Sequence, residues 1–315
     1  MVVWQAPGDV PADLGQTVVS IGVFDGVHRG HQVVLGRAAE VGRQLRLPVV
    51  AVTFDPNPMA VVRPDSAPLA LSSLPRRVEL LTKAGADYVL ILPFDEKRAQ
   101  QAPADFVDDV LVTTLGSRAV VVGADFRFGH RAAGDVALLH TLGAERGFDV
   151  VAVALEGEGE VERWSSMYVR EKVTLGDVAA AASALGRPFR VEGTVERGSQ
   201  RGRQMGYPTA NLPVADGQLV PADGVYAGWV FPLGKQYPKP MPAAISVGTN
   251  PTFDGTLRSV EPHVLDRSDL NLYGVPLAVE FVAWLRDQQR FDSTEALAAQ
   301  IGDDVDQART ILGLT

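Results

Sequence analysis

The sequence predicts an α/β chain in two parts: a parallel-sheet, Rossmann-like domain over residues 1–186, then a small β-barrel with a terminal helix over residues 187–315. Two observations carry this. Apolar runs alternate with amphipathic stretches through the first half, as in parallel sheets joined by crossover helices. After the alanine-rich run Val178 to Leu185 the pattern turns to short alternating runs punctuated by glycine and proline, as in small barrels.

In order, the first-half strands are expected at Val18 to Val23, Val49 to Thr53, Tyr88 to Leu92, Ala119 to Val122 and Val150 to Val153. The helices between them are expected at Gln32 to Leu45, Leu74 to Lys83, Ala104 to Thr114 and Val136 to Arg146, where apolar residues recur at helical spacing. Glu156 to Glu162 reads as a short solvated acidic loop. Gly186-Arg187-Pro188 stops the last helix and marks the boundary. Beyond it, strands are expected at Arg190 to Val195, Gly224 to Val230, Ala243 to Val247, Val260 to Leu265 and Leu277 to Val282, with a covering helix from Thr294 to Leu312.

At 315 residues and 46% hydrophobic, the chain can bury a core in each part. Its net charge of -9 leaves no basic surplus to neutralise a nucleic-acid backbone, so small molecules are the expected partners. The absence of cysteine excludes disulfides, thiolate catalysis and thiolate zinc sites. The first ten residues lack a basic start and apolar core, and no apolar run approaches bilayer-spanning length, so a cytoplasmic protein without membrane contact is expected. A weak homo-oligomer is left open.

Ligands of open α/β sheets bind beyond the carboxyl ends of strands. Three polar signatures fall there: Phe24 to His31 after the first strand, Thr53-Phe-Asp-Pro-Asn-Pro58 after the second, and Gly123-Ala-Asp-Phe-Arg-Phe-Gly129 after the fourth. The first is the most informative, because strand, glycine turn and helix start together present backbone N–H groups to an anion. Gly26 and Gly30 allow close backbone approach, while His28 and His31, three apart, share a helix face and can both reach a phosphate. A bare pair of histidines near a turn is equally ordinary polar surface; the strand and helix around it favour the phosphate reading. In the second part, Arg197 to Asn211 carries glycines and arginines suited to a flap over phosphates. Pro208 stiffens the segment presenting Thr209 and Asn211, whose oxygens point the same way on extended chain and can help hold Mg²⁺.

These strings resemble a known family. Gly22-Val-Phe-Asp-Gly-Val-His-Arg-Gly-His31 is similar to the adenylyltransferase module of bacterial bifunctional riboflavin kinase/FAD synthetases, within the nucleotidyltransferase superfamily. Gly206-Tyr-Pro-Thr-Ala-Asn211, Pro221 to Gly228, Ala244 to Phe253, Val260 to Asp266 and Leu272-Tyr-Gly274 follow in the order found in riboflavin kinases. The resemblance runs from about Gly15 to the C-terminus. It implies phosphorylation of riboflavin to FMN by ATP with Mg²⁺, then adenylylation of FMN to FAD with release of pyrophosphate.

Carried over by motif, Glu261 is the kinase's general base and touches the flavin, as does Asn250. Thr209 and Asn211 hold magnesium and phosphates, with Gly206 and Pro208 at the nucleotide. In the first domain, His28 and His31 are catalytic, and Gly22, Phe24, Asp25, Gly26, Asn57, Asp125, Ser165, Ser166 and Arg170 bind nucleotide. The chain departs from the pattern in four places: TFDPHP becomes TFDPNP at Asn57, SSTxxR becomes SSMYVR at Met167, Pro262-His263 is an unusual follower of Glu261, and Asn271 interrupts Asp-Leu-Tyr-Gly. The first leaves a hydrogen-bond donor that cannot become a cation near pH 7 and the second removes a hydroxyl, so an alternative is a riboflavin or flavin-analogue kinase with an impaired or altered nucleotidyltransferase. A non-enzymatic flavin-binding regulator is more distant, because Thr209, Asn211 and Glu261 would be superfluous to it.

Overall fold

The computed structural model describes residues 2–154, 164–197, 206–234, 239–252 and 255–314. The chain divides into two compact units, residues 1–68 with 73–165, and residues 69–72 with 166–315. The division falls at Ser165/Ser166, earlier than the expected Gly186/Arg187.

The first unit contains β1 (Val2–Trp4), β2 (Thr17–Ile21), α1 (Arg29–Leu45), β3 (Val49–Asp55), α2 (Pro58–Val62), α3 (Leu74–Lys83) and β4 (Tyr88–Pro93). Then come α4 (Glu96–Ala99), α5 (Pro103–Phe106), β5 (Ser117–Gly123), α6 (Val136–Arg146) and β6 (Asp149–Val153). The six strands form one sheet in the order β1-β4-β3-β2-β5-β6, every pair parallel. Alternate residues feed its two faces. Val18, Ala119 and Val121 pack on Val34, Ala38 and Val41 of α1, whereas Val19, Ile21, Val50 and Val52 pack on Phe106, Leu111 and Leu139 opposite.

Two differences from the expected elements have physical causes. The edge strand β1 is too short for a period to show, yet Trp4 stacks on Tyr88 at 4.9 Å and anchors it. The stretch expected as one helix from Ala104 is α5 followed by a π-helix, Val107–Thr114, whose wide turns bury Val107, Val110 and Leu111.

The second unit opens with α7 (Ser166–Thr174) and α8 (Val178–Leu185), followed by β7 (Phe189–Thr194), β8 (Leu212–Pro213), β9 (Gly224–Pro232), β10 (Met241–Thr252), β11 (Gly255–Val264), β12 (Pro276–Arg286) and α9 (Thr294–Ile311). The strands run β7-β12-β9-β10-β11-β8, and a bridge between Glu196 and Asn211 joins the two ends into a near-barrel. Strands β9 and β12 approach so closely that a Cβ on Gly228 would collide with the Glu280 carbonyl. Helix α8 packs on β7 and β12, which explains why α7 and α8 belong with the barrel. Helix α9 is pinned by Arg286, which grips buried Asp304 through two bonds of 2.7 Å.

Candidate functional site

Parallel β3, β2 and β5 are neighbours, so the three polar signatures of the first unit emerge side by side at their carboxyl ends. The β2 signature is tightly wound, with Phe24, Gly26 and Val27 all at positive φ (52°, 75° and 40°). A Cβ on Gly22 would sit only 3.0 Å from the Phe24 ring, so the ring packs tightly over this glycine. Helix α1 starts at Arg29, earlier than the expected Gln32, because His28 caps it: the Nδ1 of His28 accepts the backbone N–H of His31 at 3.4 Å. That acceptor role leaves the proton on Nε2, which is then a donor.

The structure brings the two histidines together. Their rings stack at 3.7 Å between centroids, and the Phe24 ring stands edge-on to His31 at 5.1 Å. Gly30 makes room for the His28 ring, 3.1 Å from where its own Cβ would be. Burial holds the His31 pKa well below the usual imidazole value, and the charges of His28 and Arg77 push it the same way. The Nδ1 of His31 is buried with no hydrogen-bond partner among the described residues. An anion arriving at this helix start meets the positive end of the α1 dipole and the paired imidazoles.

Asp25 is buried beside the pair, whereas Asp125 is exposed in the turn after β5. Asn57 caps α2, its Oδ1 accepting the Met59 N–H at 3.0 Å, and its amide N–H₂ can still donate to a ligand. Trp164 lies against the first turn of α1 under the Arg29 guanidinium, and Ser165 follows it. Ser166, Met167 and Arg170 stand on α7 in the second unit. There Met167 is 79% exposed, and the Arg170 Nε donates to the Leu69 carbonyl at 2.8 Å.

Strand β11 projects Ser259, Glu261 and His263 to one side by its period of two. The Glu261 carboxylate accepts from the Ser259 hydroxyl at 3.0 Å and more weakly from the Thr209 hydroxyl at 3.4 Å. The segment carrying Thr209 is tied down at two points: the Ala210 N–H donates to the Pro262 carbonyl at 3.0 Å, and His263 Nδ1 donates to the Pro208 carbonyl at 2.9 Å. Tyr207 stands edge-on to the His263 ring at 5.3 Å. Burial lowers the His263 pKa, although that hydrogen bond opposes the shift.

Thr209, Asn211 and Glu261 line one cavity of about 650 Å³, with α9 contributing Leu297 and Ile301 to its wall. Gly206, at φ 84°, is exposed at the start of the Thr209 segment. Residues 198–205 of the flap, the acidic loop Glu156 to Glu162 and the Asn250 side chain lie outside the described residues.

Sequence reasoning missed Ser259, His263 and Arg77. The first two share a strand face with Glu261, a signal available in the alternation with Val260, Pro262 and Val264. Arg77 falls on the apolar stripe of α3, three residues after Leu74 and four before Leu81, where a basic residue stands out.

A family model described as FAD synthetase matches residues 10–167, and one described as riboflavin kinase matches residues 185–312. The bifunctional riboflavin kinase/FMN adenylyltransferase of Escherichia coli (strain K12) is 41% identical over 298 residues, covering 95% of this chain and 93% of its own. The chain belongs to the bifunctional riboflavin kinase/FMN adenylyltransferase family.

Another bifunctional riboflavin kinase/FMN adenylyltransferase, from Pseudomonas fluorescens, is 39% identical over 93% of this chain and 92% of its own. The fold recurs in a solved structure titled as a macrolide-efflux protein from Streptococcus pneumoniae, 30% identical with a TM-score of 0.87 over 98% of both chains. Among the described residues of this family member, no helix is long and apolar enough to cross a membrane.

Proposed function

We propose that this chain performs both reactions of its family: ATP-dependent phosphorylation of riboflavin to FMN in the second unit, and adenylylation of FMN to FAD. The carrying observation is the Glu261 carboxylate, oriented by the Ser259 and Thr209 hydroxyls at the wall of the cavity. Glu261 accepts the proton of the ribityl 5′-hydroxyl as that oxygen attacks the γ-phosphorus of ATP. Thr209 and Asn211 add hard oxygen donors beside the carboxylate, the ligand type Mg²⁺ prefers, so these residues fit the ion. When bound, Mg²⁺ neutralises charge on the nucleotide phosphates. In this reading Asn250 is a flavin contact, as the family motif implies.

In adenylyl transfer, the FMN phosphate attacks the α-phosphorus of ATP and pyrophosphate leaves. His28 and His31, at the start of α1, donate to the phosphate oxygens as charge builds there, and Phe24 holds His31 in place. Gly22, Gly26 and Asp25 shape the same turn. Asn57, Asp125, Ser165, Ser166 and Arg170 keep the nucleotide roles that the family motifs imply. The kinase activity is assigned to residues 187–315 and adenylylation to residues 1–186, with α7 and α8 supporting the barrel physically. Riboflavin, FMN and ATP are the partners, in the cytoplasm, as a monomer or weak homo-oligomer.

A slower adenylyltransferase is the second reading. It is favoured by Asn57, whose carbonyl is committed to capping α2, and by the missing hydroxyl at Met167. Incubating the purified chain with riboflavin, ATP and Mg²⁺ and resolving riboflavin, FMN and FAD chromatographically tests all of this. FMN and FAD in sequence support the bifunctional reading, FMN alone supports the second, and neither product refutes both.

A further inference from the structure

Arg77 is 5% exposed, an uncommon place for a guanidinium, since burying one is unfavourable unless its donors are satisfied. From α3, its Nη1 donates to the Phe54 carbonyl at 2.9 Å and to the Thr53 hydroxyl at 3.3 Å. The Thr53 hydroxyl in turn donates to the Val23 carbonyl at 2.9 Å. The bonds run one way, from Arg77 through the end of β3 to the chain leaving β2. The next residue is Phe24, at positive φ, with its ring against His31.

This bridge lies where β2 and β3 stop pairing. Their ladder ends at Ile21 and Val52, and the Gly22 N–H makes a last bond to the Val52 carbonyl at 3.1 Å. Past that point the Thr53 hydroxyl takes over from the backbone in setting the spread of the two ends. A shift of the Val23–Phe24 chain would carry His31 with it, and small misplacements of phosphate donors are expensive in rate.

We propose that Arg77 is a positioning residue for adenylyl transfer: through Thr53 it fixes the Val23–Phe24 chain against which His31 packs. The inference rests on the reading of His28 and His31 as the phosphate-facing pair. The charges that bear on His31 come from His28 at the start of its own helix and from Arg77 on α3. Burial is the larger cause, and with these charges it holds the His31 pKa well below the usual imidazole value.

Arg77→Met, Arg77→Lys and Thr53→Val separate the two contributions. Each variant is assayed for FAD formation from FMN and ATP and for FMN formation from riboflavin, and the His31 ring is titrated by NMR. Arg77→Met is expected to lower kcat for FAD formation by about 10-fold or more while riboflavin phosphorylation stays within about twofold. It also moves the His31 midpoint upward. Arg77→Lys returns that midpoint toward its original position without recovering the rate, because an ammonium lacks the guanidinium fork. Thr53→Val lowers the rate and leaves the midpoint in place.

Unchanged FAD formation and an unchanged His31 midpoint in Arg77→Met would overturn the proposal. So would equal losses of both activities, which mark a merely structural role. If both arginine variants fail to fold, a fully active Thr53→Val overturns it. Failure of the unmodified chain to make FAD would instead defeat the adenylylation reading, and the His31 titration still judges the Arg77 charge by itself.

Discussion

Replacing Glu261 by Gln tests the kinase assignment most directly, because the structure separates what the change removes from what it keeps. The carboxylate is held by two hydroxyl donors, Ser259 at 3.0 Å and Thr209 at 3.4 Å. Glutamine has the same length and retains one acceptor oxygen, and either hydroxyl can reverse to accept from the new amide. At most one bond is weakened, about 1 kcal/mol, and for a unit of the size of the second one that shifts its Tm by about 2–4 °C. The proton acceptor is lost completely. General-base catalysis contributes about 10²–10⁴-fold, or about 3–5 kcal/mol of barrier. The expected result is a kcat for FMN formation reduced by that factor, with KM for riboflavin little changed. Chromatographic rates of FMN formation provide the assay, and FAD formation from supplied FMN provides an internal control. A variant phosphorylating riboflavin within about fivefold of the unmodified chain refutes the base role. Parallel loss of both activities means that the substitution damaged the fold.

Three further predictions concern the departures, the boundary and acid. Asn57→His and Met167→Thr are each expected to raise FAD formation while leaving riboflavin phosphorylation unchanged, the double variant departing from additivity; steady-state rates with ATP and CTP check this, and an unmodified chain already fast and not improved refutes donor loss. A fragment of residues 166–315 should phosphorylate riboflavin and melt above one of residues 187–315, which exposes the barrel surface that α8 covers; equal melting temperatures count against the support given to α7 and α8. Burial holds the His31 and His263 pKa values below the unfolded value, so the folded chain binds fewer protons and their contribution, present above about pH 6.5, is lost as pH falls toward the folded values. Stability should fall on acidification below that point, and His263→Asn, which keeps a donor for the Pro208 carbonyl, should flatten the fall in a series of Tm measurements.

Much of the fold was legible because its rules are local. Alternating apolar runs marked β2 to β6, and helical spacing placed α3 and α6 at the bounds observed, since Ser73 and Asp135 cap them from the sequence side. The motif glycines and histidines were legible for the same reason: a turn at positive φ and a helix start are properties of a few consecutive residues. The edge strand β1 was not, because three residues carry no period and its place depends on Tyr88 far along the chain.

The sequence by itself determined the fold class, the order of the elements and the residues with suitable chemistry at strand ends. Tertiary structure decided which of those residues meet. It set Glu261 between Ser259 and Thr209, the latter 52 positions away, because pairing in the barrel brings distant strands together. It turned Asn57 into a helix cap, gave α7 and α8 to the barrel and buried Arg77 beneath the histidine turn. Hydrogen bonds and burial of this kind depend on distances between segments remote in sequence, which no local pattern encodes.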